Sequence, residues 1–237
     1  MAGMRVPRIV ASVALVVALG PCSFAQKNDR PRLSATDTSY LSCRVWTGHN
    51  WTVPTPISAR TPLVESPKGF RAYAEVKVAV QKDGSCENAT TLYVASGVGQ
   101  AFTIVYPKAP SASNGNGIRL IGWSPSGEKL LAEVNLWTYD SDTEYAHFPV
   151  IYDASKDATE EIPDVDQAVS RHFGADCLFE LAVTGWKADD QILIKVSKSP
   201  EDGLYEVRSC VQGPQTFAFS LRNYTLQAYP LQPPPKD

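Results

Sequence analysis

Apolar and polar positions alternate with a period of two along most of this chain. Ala72, Ala74, Val76 and Val78 fall on one side of their run, and Tyr73, Glu75 and Lys77 on the other. Further on, Ala132, Val134 and Leu136 oppose Leu131, Glu133 and Asn135. A two-residue period predicts half-buried β-strands. Each run follows a turn-like stretch: Glu65-Ser66-Pro67-Lys68-Gly69-Phe70, then Trp123-Ser124-Pro125-Ser126-Gly127-Glu128, then the worn Trp186-Lys187-Ala188-Asp189-Asp190. A second strand-like cluster comes after each one: Leu92-Tyr93-Val94-Ala95, Val150-Ile151-Tyr152-Asp153 and Leu204-Tyr205-Glu206-Val207. Pro67 and Pro125 are 58 residues apart, and Tyr93, Tyr152 and Tyr205 are separated by 59 and 53. Spacing in this range marks repeats that bury their faces against one another. Three units are expected, at roughly 63–108, 118–163 and 178–222.

Between and around the units the pattern changes. Asp83-Gly84 and Asp202-Gly203 are hairpin signals, because short hairpin turns need residues that tolerate positive φ. The stretch 108–117, K-A-P-S-A-S-N-G-N-G, is expected to be a flexible surface loop with nothing to bury. Residues 163–174 hold the one helix pattern, with Asp164 as its cap before Val165, Ala168 and Val169. Residues 26–40 are polar and expected to be disordered, 41–62 form an irregular lead-in with a strand at 41–46, and 230–237 form a proline-rich tail. One β domain over 41–229 is the result.

The first 25 residues stand apart. Arg5 and Arg8 precede an apolar run over 9–19, and Ser23-Phe24-Ala25 supplies small residues for cleavage before Gln26, the layout of a secretory signal peptide. Leu19-Gly20-Pro21-Cys22 offers the alternative of a lipidated Cys22, against which Pro21 counts. Cleavage after Ala25 leaves 212 residues and takes the formal charge from −3 to −5. An acidic export product without a basic cluster has no footprint for nucleic acid, and no later segment has the length of a membrane span. Cys43, Cys86, Cys177 and Cys210 remain, an even count that predicts disulfides in an exported chain. Three connectivities are open; Cys43–Cys86 with Cys177–Cys210 is preferred because each pair brackets one repeat. A zinc site is the alternative, without a Cys-x-x-Cys pair to support it.

Candidate chemistry is sparse. There are three histidines, His49, His147 and His172, and no G-x-S-x-G elbow. Ser66 and Ser124 occupy equivalent turn positions, which gives them a structural role. Asp140-Ser141-Asp142-Thr143-Glu144 could offer oxygens to calcium, but lacks the glycine and distal glutamate of an EF-hand loop, so a solvated hairpin tip is the plainer reading. No metal or other cofactor is expected. Trp46, Trp51, Trp137, Tyr139, Tyr145 and Phe148 could line a carbohydrate or peptide groove, or pack between sheets. Sequons at Asn50, Asn88 and Asn223 would carry glycans only in a eukaryotic secretory pathway.

The run Trp123-Ser124-Pro125-Ser126-Gly127-Glu128-Lys129-Leu130-Leu131-Ala132 resembles the W-S-P-D-G-K-x-[IL]-A-[FY] blade signature of TolB-like β-propellers. The resemblance covers about 63–222. It departs from the pattern at Glu65, which stands in place of tryptophan, and in the third unit, which lacks both Pro and Gly. It implies an all-β, propeller-like array of three four-stranded antiparallel units. Residues 41–62 and a strand at 224–229 would close the ring, or the array stays open; a β-sandwich is the alternative. The resemblance further implies a non-catalytic binding or scaffold protein, periplasmic or secreted, that meets a protein partner through rim loops. A secreted hydrolase or carbohydrate-binding protein is the alternative. The 136–148 loop is the most aromatic and acidic, so Trp137, Tyr139 and Tyr145 are the candidate anchors, with Asp140 and His147 beside them.

Overall fold

The computed structural model describes residues 38, 45–46, 51–52, 57–80, 86–109, 114–138, 144–175, 177–199 and 209–230. They build three antiparallel sheets and one helix. A separate hairpin pairs β1 (Val45–Trp46) with β2 (Trp51–Thr52). The first sheet comprises β3 (Ile57–Arg60), β4 (Val64–Glu65), β5 (Arg71–Val80), β6 (Cys86–Ala95) and β7 (Thr103–Lys108). β3 and β4 are two halves of one broken strand, since both pair with β5 and Thr61 bridges the break through its amide to the Ala74 carbonyl (2.9 Å). The second sheet is β8 (Asn114–Trp123), β9 (Lys129–Thr138), β10 (Glu144–Asp153) and β11 (Ala158–Glu161). After helix α1 (Asp164–Phe173), the third is β12 (Phe179–Ala188), β13 (Gln191–Lys198), β14 (Gln215–Ser220) and β15 (Leu226–Ala228). In each, strands neighbour in chain order.

The expected all-β architecture and its three four-stranded units are therefore present, with the first two units starting earlier than expected and the third ending later. Three details differ. The partner of β13 is β14, at 215–220, whereas 204–207 and the Asp202-Gly203 signal lie outside the described residues. The C-terminal strand β15 is the fourth strand of the third sheet, and β1 and β2 pair only with each other among the described residues, so these segments do not assemble a fourth unit. The helix is capped at Pro163 without a side-chain bond and Asp164 is its first residue, although Val165, Ala168 and Val169 form its buried face.

The three sheets stack in one direction, the second offering one face to the first and the opposite face to the third. Ala72, Ala74, Val76, Leu92 and Val94 of the first sheet pack against Ile118, Leu130, Ala132, Val134 and Val150 of the second. Leu131 and Ile151, on the second sheet's other face, join Ile192, Ile194, Val196, Phe217 and Phe219 of the third, with α1 completing that core. The alternation in β9 is therefore buried on both sides, and Leu131 and Glu133 do not meet solvent, because this sheet is the middle layer.

Burial of Glu133 is compensated at a sheet edge. Its carboxylate accepts the Val183 amide (3.1 Å) and pairs with Arg119, whose guanidinium donates to the Val183 carbonyl (3.0 Å). Two side chains thus pair the exposed edge of β12 as a strand would, which also blunts an edge open to aggregation. The edge of β8 is closed similarly: Ile118 donates to the Thr38 carbonyl (2.8 Å), and the Thr38 hydroxyl donates back to Ile118. Thr38 is buried, an ordered point within the stretch expected to be disordered.

The stretch 114–117 is a correction of substance. It forms the start of β8, and Gly115, Asn116 and Gly117 are buried. Asn116 donates to the carbonyls of Asn88 (2.9 Å) and Ala109 (3.3 Å), and Thr90 donates to its carbonyl (3.2 Å). Gly115 lies opposite Trp137, leaving room for that ring.

At the opposite end of the sheets the repeated turns form a row. In the first, Ser66 donates to the Phe70 carbonyl (2.8 Å) while its hydroxyl accepts the Lys68 and Phe70 amides (both 3.1 Å). In the second, Ser124 donates to the Lys129 carbonyl (2.7 Å) and its hydroxyl accepts the Lys129 amide (3.2 Å). Successive turns touch: Lys68 pairs with Glu128, and Asp189 accepts the Ser126 amide (2.9 Å). The tryptophans seal the same joints. Trp123 stacks on Phe70 (5.6 Å between centroids), and Trp186 donates to the Gly122 carbonyl (2.9 Å).

The row makes a prediction about its two glycines. Both have positive φ, +85° at Gly69 and +76° at Gly127, so alanine costs about 1–2 kcal/mol at either. A Cβ at Gly69 meets nothing, whereas one at Gly127 would lie 3.0 Å from the Lys68 nitrogen and 3.1 Å from Pro67 Cδ. Gly127→Ala is therefore expected to cost about 1 kcal/mol more than Gly69→Ala, the price of crowding a packed joint. Urea unfolding of the two variants measures it; equal losses would mean that the joint yields freely.

Candidate functional site

The second joint in the fold, between the second and third sheets at the turn end, opens into a cleft of about 580 Å³. Its floor is apolar, made by Ile151, Ile162 and Leu221. Its walls are charged and come from four turns or strand ends: Lys129 after the second repeated turn, Asp153 and Lys156 at the β10–β11 hairpin, Asp189 and Asp190 at the β12–β13 hairpin, and Arg222 between β14 and β15. Each position follows from local chain geometry, since β-hairpin ends carry polar residues where strands leave the core.

The charges are held in place by the protein itself. Asp153 accepts the Ser155 amide (3.0 Å) and hydroxyl (2.6 Å), an Asx-type turn, and pairs with Lys156 (3.3 Å). Burial pushes its carboxyl up, but the bonds from Ser155 and Lys156 outweigh it and hold it below the usual carboxylate range. Asp189 is also held low, chiefly by the Ser126 amide. Arg222 pairs with Asp190 (2.7 Å), and Lys129 donates to the Asp189 carbonyl (3.1 Å). Tyr224 donates to Glu160 on the cleft's flank (3.3 Å), and the charge of Glu160 raises that phenol. Both aspartates with lowered pKa are ionised at neutral pH and are occupied as acceptors. Such groups suit recognition of charge by opposite charge; a proton-transfer group would be poised near the working pH instead.

Of the candidate anchors, those among the described residues fall at the other end of the second sheet. Trp137 is fully buried, on the same face of the sheet as Leu131 and Glu133, and so offers no surface to a partner. Tyr139 and Asp140 lie outside the described residues, and of Tyr145 only its place in β10 is described. His147 sits opposite Asn135 on the face of Trp137 and is half-buried. Asp166 of α1 is exposed as a whole, yet burial of its carboxyl raises it, with His147 acting in the opposite direction. Cys177 and Cys210 are bonded, with Cα atoms 5.4 Å apart. Cys43 lies outside the described residues, and only the backbone of Cys86, at the start of β6, is described. Among the described residues no group of three His, Cys, Asp or Glu is placed to hold a metal ion, and no helix is long and apolar enough to cross a membrane.

The cleft residues were missed in the sequence because each is an ordinary polar turn residue alone. The available signal was their repetition: Lys129 and Asp189 belong to successive copies of one turn. Comparison with family models, curated proteins and solved structures finds no match to this chain.

Proposed function

We propose that this is an exported, propeller-type binding protein of the cell envelope or exterior, non-catalytic, which meets a protein partner along its rim of turns. The observation that carries this reading is the cleft between the second and third sheets. Its walls bear fixed charges of both signs over an apolar floor, and they are supplied by two rigid sheets. A protein segment offers matching chemistry, an aliphatic stem or aromatic ring for the floor and charged termini or side chains for the walls. The row of linked turns pre-organises that surface, so little ordering entropy is lost on binding. The TolB-like turn signature and the signal-like N-terminus support the same reading.

The test is charge reversal on the cleft rim. Lys156 and Arg222 are exposed, so Lys156→Glu/Arg222→Glu should fold as the parent does. Against an envelope extract, the parent is expected to retain a partner that the double variant recovers at least tenfold less. Equal recovery by both, or recovery by neither, would remove the cleft from the function.

A further inference from the structure

The charges around the cleft between the second and third sheets do not cancel. Asp153, Glu160, Asp189 and Asp190 line it together with the bases Lys129, Lys156 and Arg222. Lys156 pairs with Asp153 (3.3 Å) and Arg222 with Asp190 (2.7 Å). Lys129 donates to the Asp189 backbone carbonyl (3.1 Å), and after the Ser126 amide its charge helps to hold that residue's carboxyl low. Glu160 is the acid left over. Among the described residues no lysine or arginine pairs with it, and the Tyr224 phenol that donates to its Oε1 (3.3 Å) is neutral.

Glu160 also stands beside the apolar floor. It is directly opposite Ile151 across the β10–β11 ladder, and directly opposite residues share a face. Ile162, two residues on, continues that ladder by donating its amide to the Pro149 carbonyl (2.8 Å), and so lies on the same face. Ile151 and Ile162 belong to the core between the second and third sheets, and Leu221 packs against it. The turn that brings Leu221 and Tyr224 to this place is held firmly. Tyr224 has a φ of +54°, rare for so bulky a residue, with its amide on the Ser220 carbonyl (3.0 Å) and its own carbonyl accepting Arg171 (3.4 Å).

Resting on the reading of this cleft as a binding surface, we propose that its occupant is a lysine side chain of the protein partner. Its aliphatic stem lies on Ile151, Ile162 and Leu221, and its ammonium donates to Glu160. The phenol occupies Oε1, which leaves one oxygen for a compact ammonium rather than two for the fork of an arginine. An acidic side chain in the same place would meet Glu160 and find each base of the cleft already engaged.

Three capped tripeptides test this, with lysine, norleucine or glutamate between two alanines, titrated against the mature chain and followed by the methyl NMR signals of Ile151, Ile162 and Leu221. The lysine peptide is expected to shift those signals and to bind at least about fivefold more tightly than the other two, an advantage that shrinks at high salt. Glu160→Gln keeps an acceptor for Tyr224 and should melt as the parent does. In it, lysine and norleucine peptides should bind within roughly twofold of each other. Equal binding of these two by the parent overturns the proposal. So does tighter binding of the glutamate peptide, or a lysine advantage that survives Glu160→Gln. Failure of every peptide to bind at millimolar concentration also overturns it, whereas the reading of the cleft as a partner surface is decided separately, by recovery of a partner with the charge-reversed rim.

Discussion

Replacing Gly115 with alanine is expected to destabilise the protein by about 3 kcal/mol or more, beyond the usual range for a strand glycine. An added Cβ there would overlap the indole of Trp137, the residue directly opposite on β9. Trp137 is fully buried and among the largest such side chains, so its ring has no free volume into which to retreat. The backbone of Gly115 does not demand glycine, since its φ is outside the left-handed region. The whole cost is steric. Trp137→Ala should itself cost about 3–5 kcal/mol as a large-to-small core change. In that background the cost of Gly115→Ala should fall below about 1 kcal/mol, because the new methyl enters the space the ring has left. A double-mutant cycle by urea unfolding would therefore show a coupling of about 2 kcal/mol or more. Additive losses would mean that the two residues do not share this space.

This pair also explains which parts of the fold were legible beforehand. The turns were, because their chemistry is local: a serine hydroxyl accepts amides two to five residues on, and a glycine takes the positive φ. Strand faces were legible within each run and not between runs. Ser66 pairs with Phe70 but Ser124 with Lys129, so the second turn holds one more residue before the ladder resumes. Two similar motifs thus deliver their next strands with opposite faces, and Ala72 is equivalent to Leu131, not Leu130. Asn-Gly-Asn-Gly looked like a loop because its propensities say so. It is a strand because Trp137 and Asn88, distant in sequence, supply what those residues need. Trp137 looked like an exposed anchor for the converse reason, since nothing near it in sequence announces the glycine across the sheet. The cleft escaped notice because four separated turns make it, and only the sheet stacking brings them together.

Removing the Cys177–Cys210 bridge is expected to cost about 3.5–4 kcal/mol, the chain-entropy value for a closed loop of 33 residues. The bridge fastens the excursion between β13 and β14 back to the start of β12. Leu178 and Ser209 form an isolated parallel bridge beside it, and the Ser209 hydroxyl donates to the Leu178 carbonyl (2.8 Å). The tether sets Val211 into the core next to Cys177, from where β14 enters as an interior strand of the third sheet. A Cys177→Ala/Cys210→Ala variant isolates this bridge, whereas a reductant acts on every disulfide at once. Urea unfolding of parent and variant, each with and without reductant, separates the two. The variant should lose the predicted stability under oxidising conditions and show a larger m-value, because its unfolded chain exposes more surface. If Cys43 and Cys86 form the second bridge, the variant will weaken again when reductant is added. A variant as stable as its parent would mean that the hydrogen bonds around Ser209 hold the excursion without the disulfide.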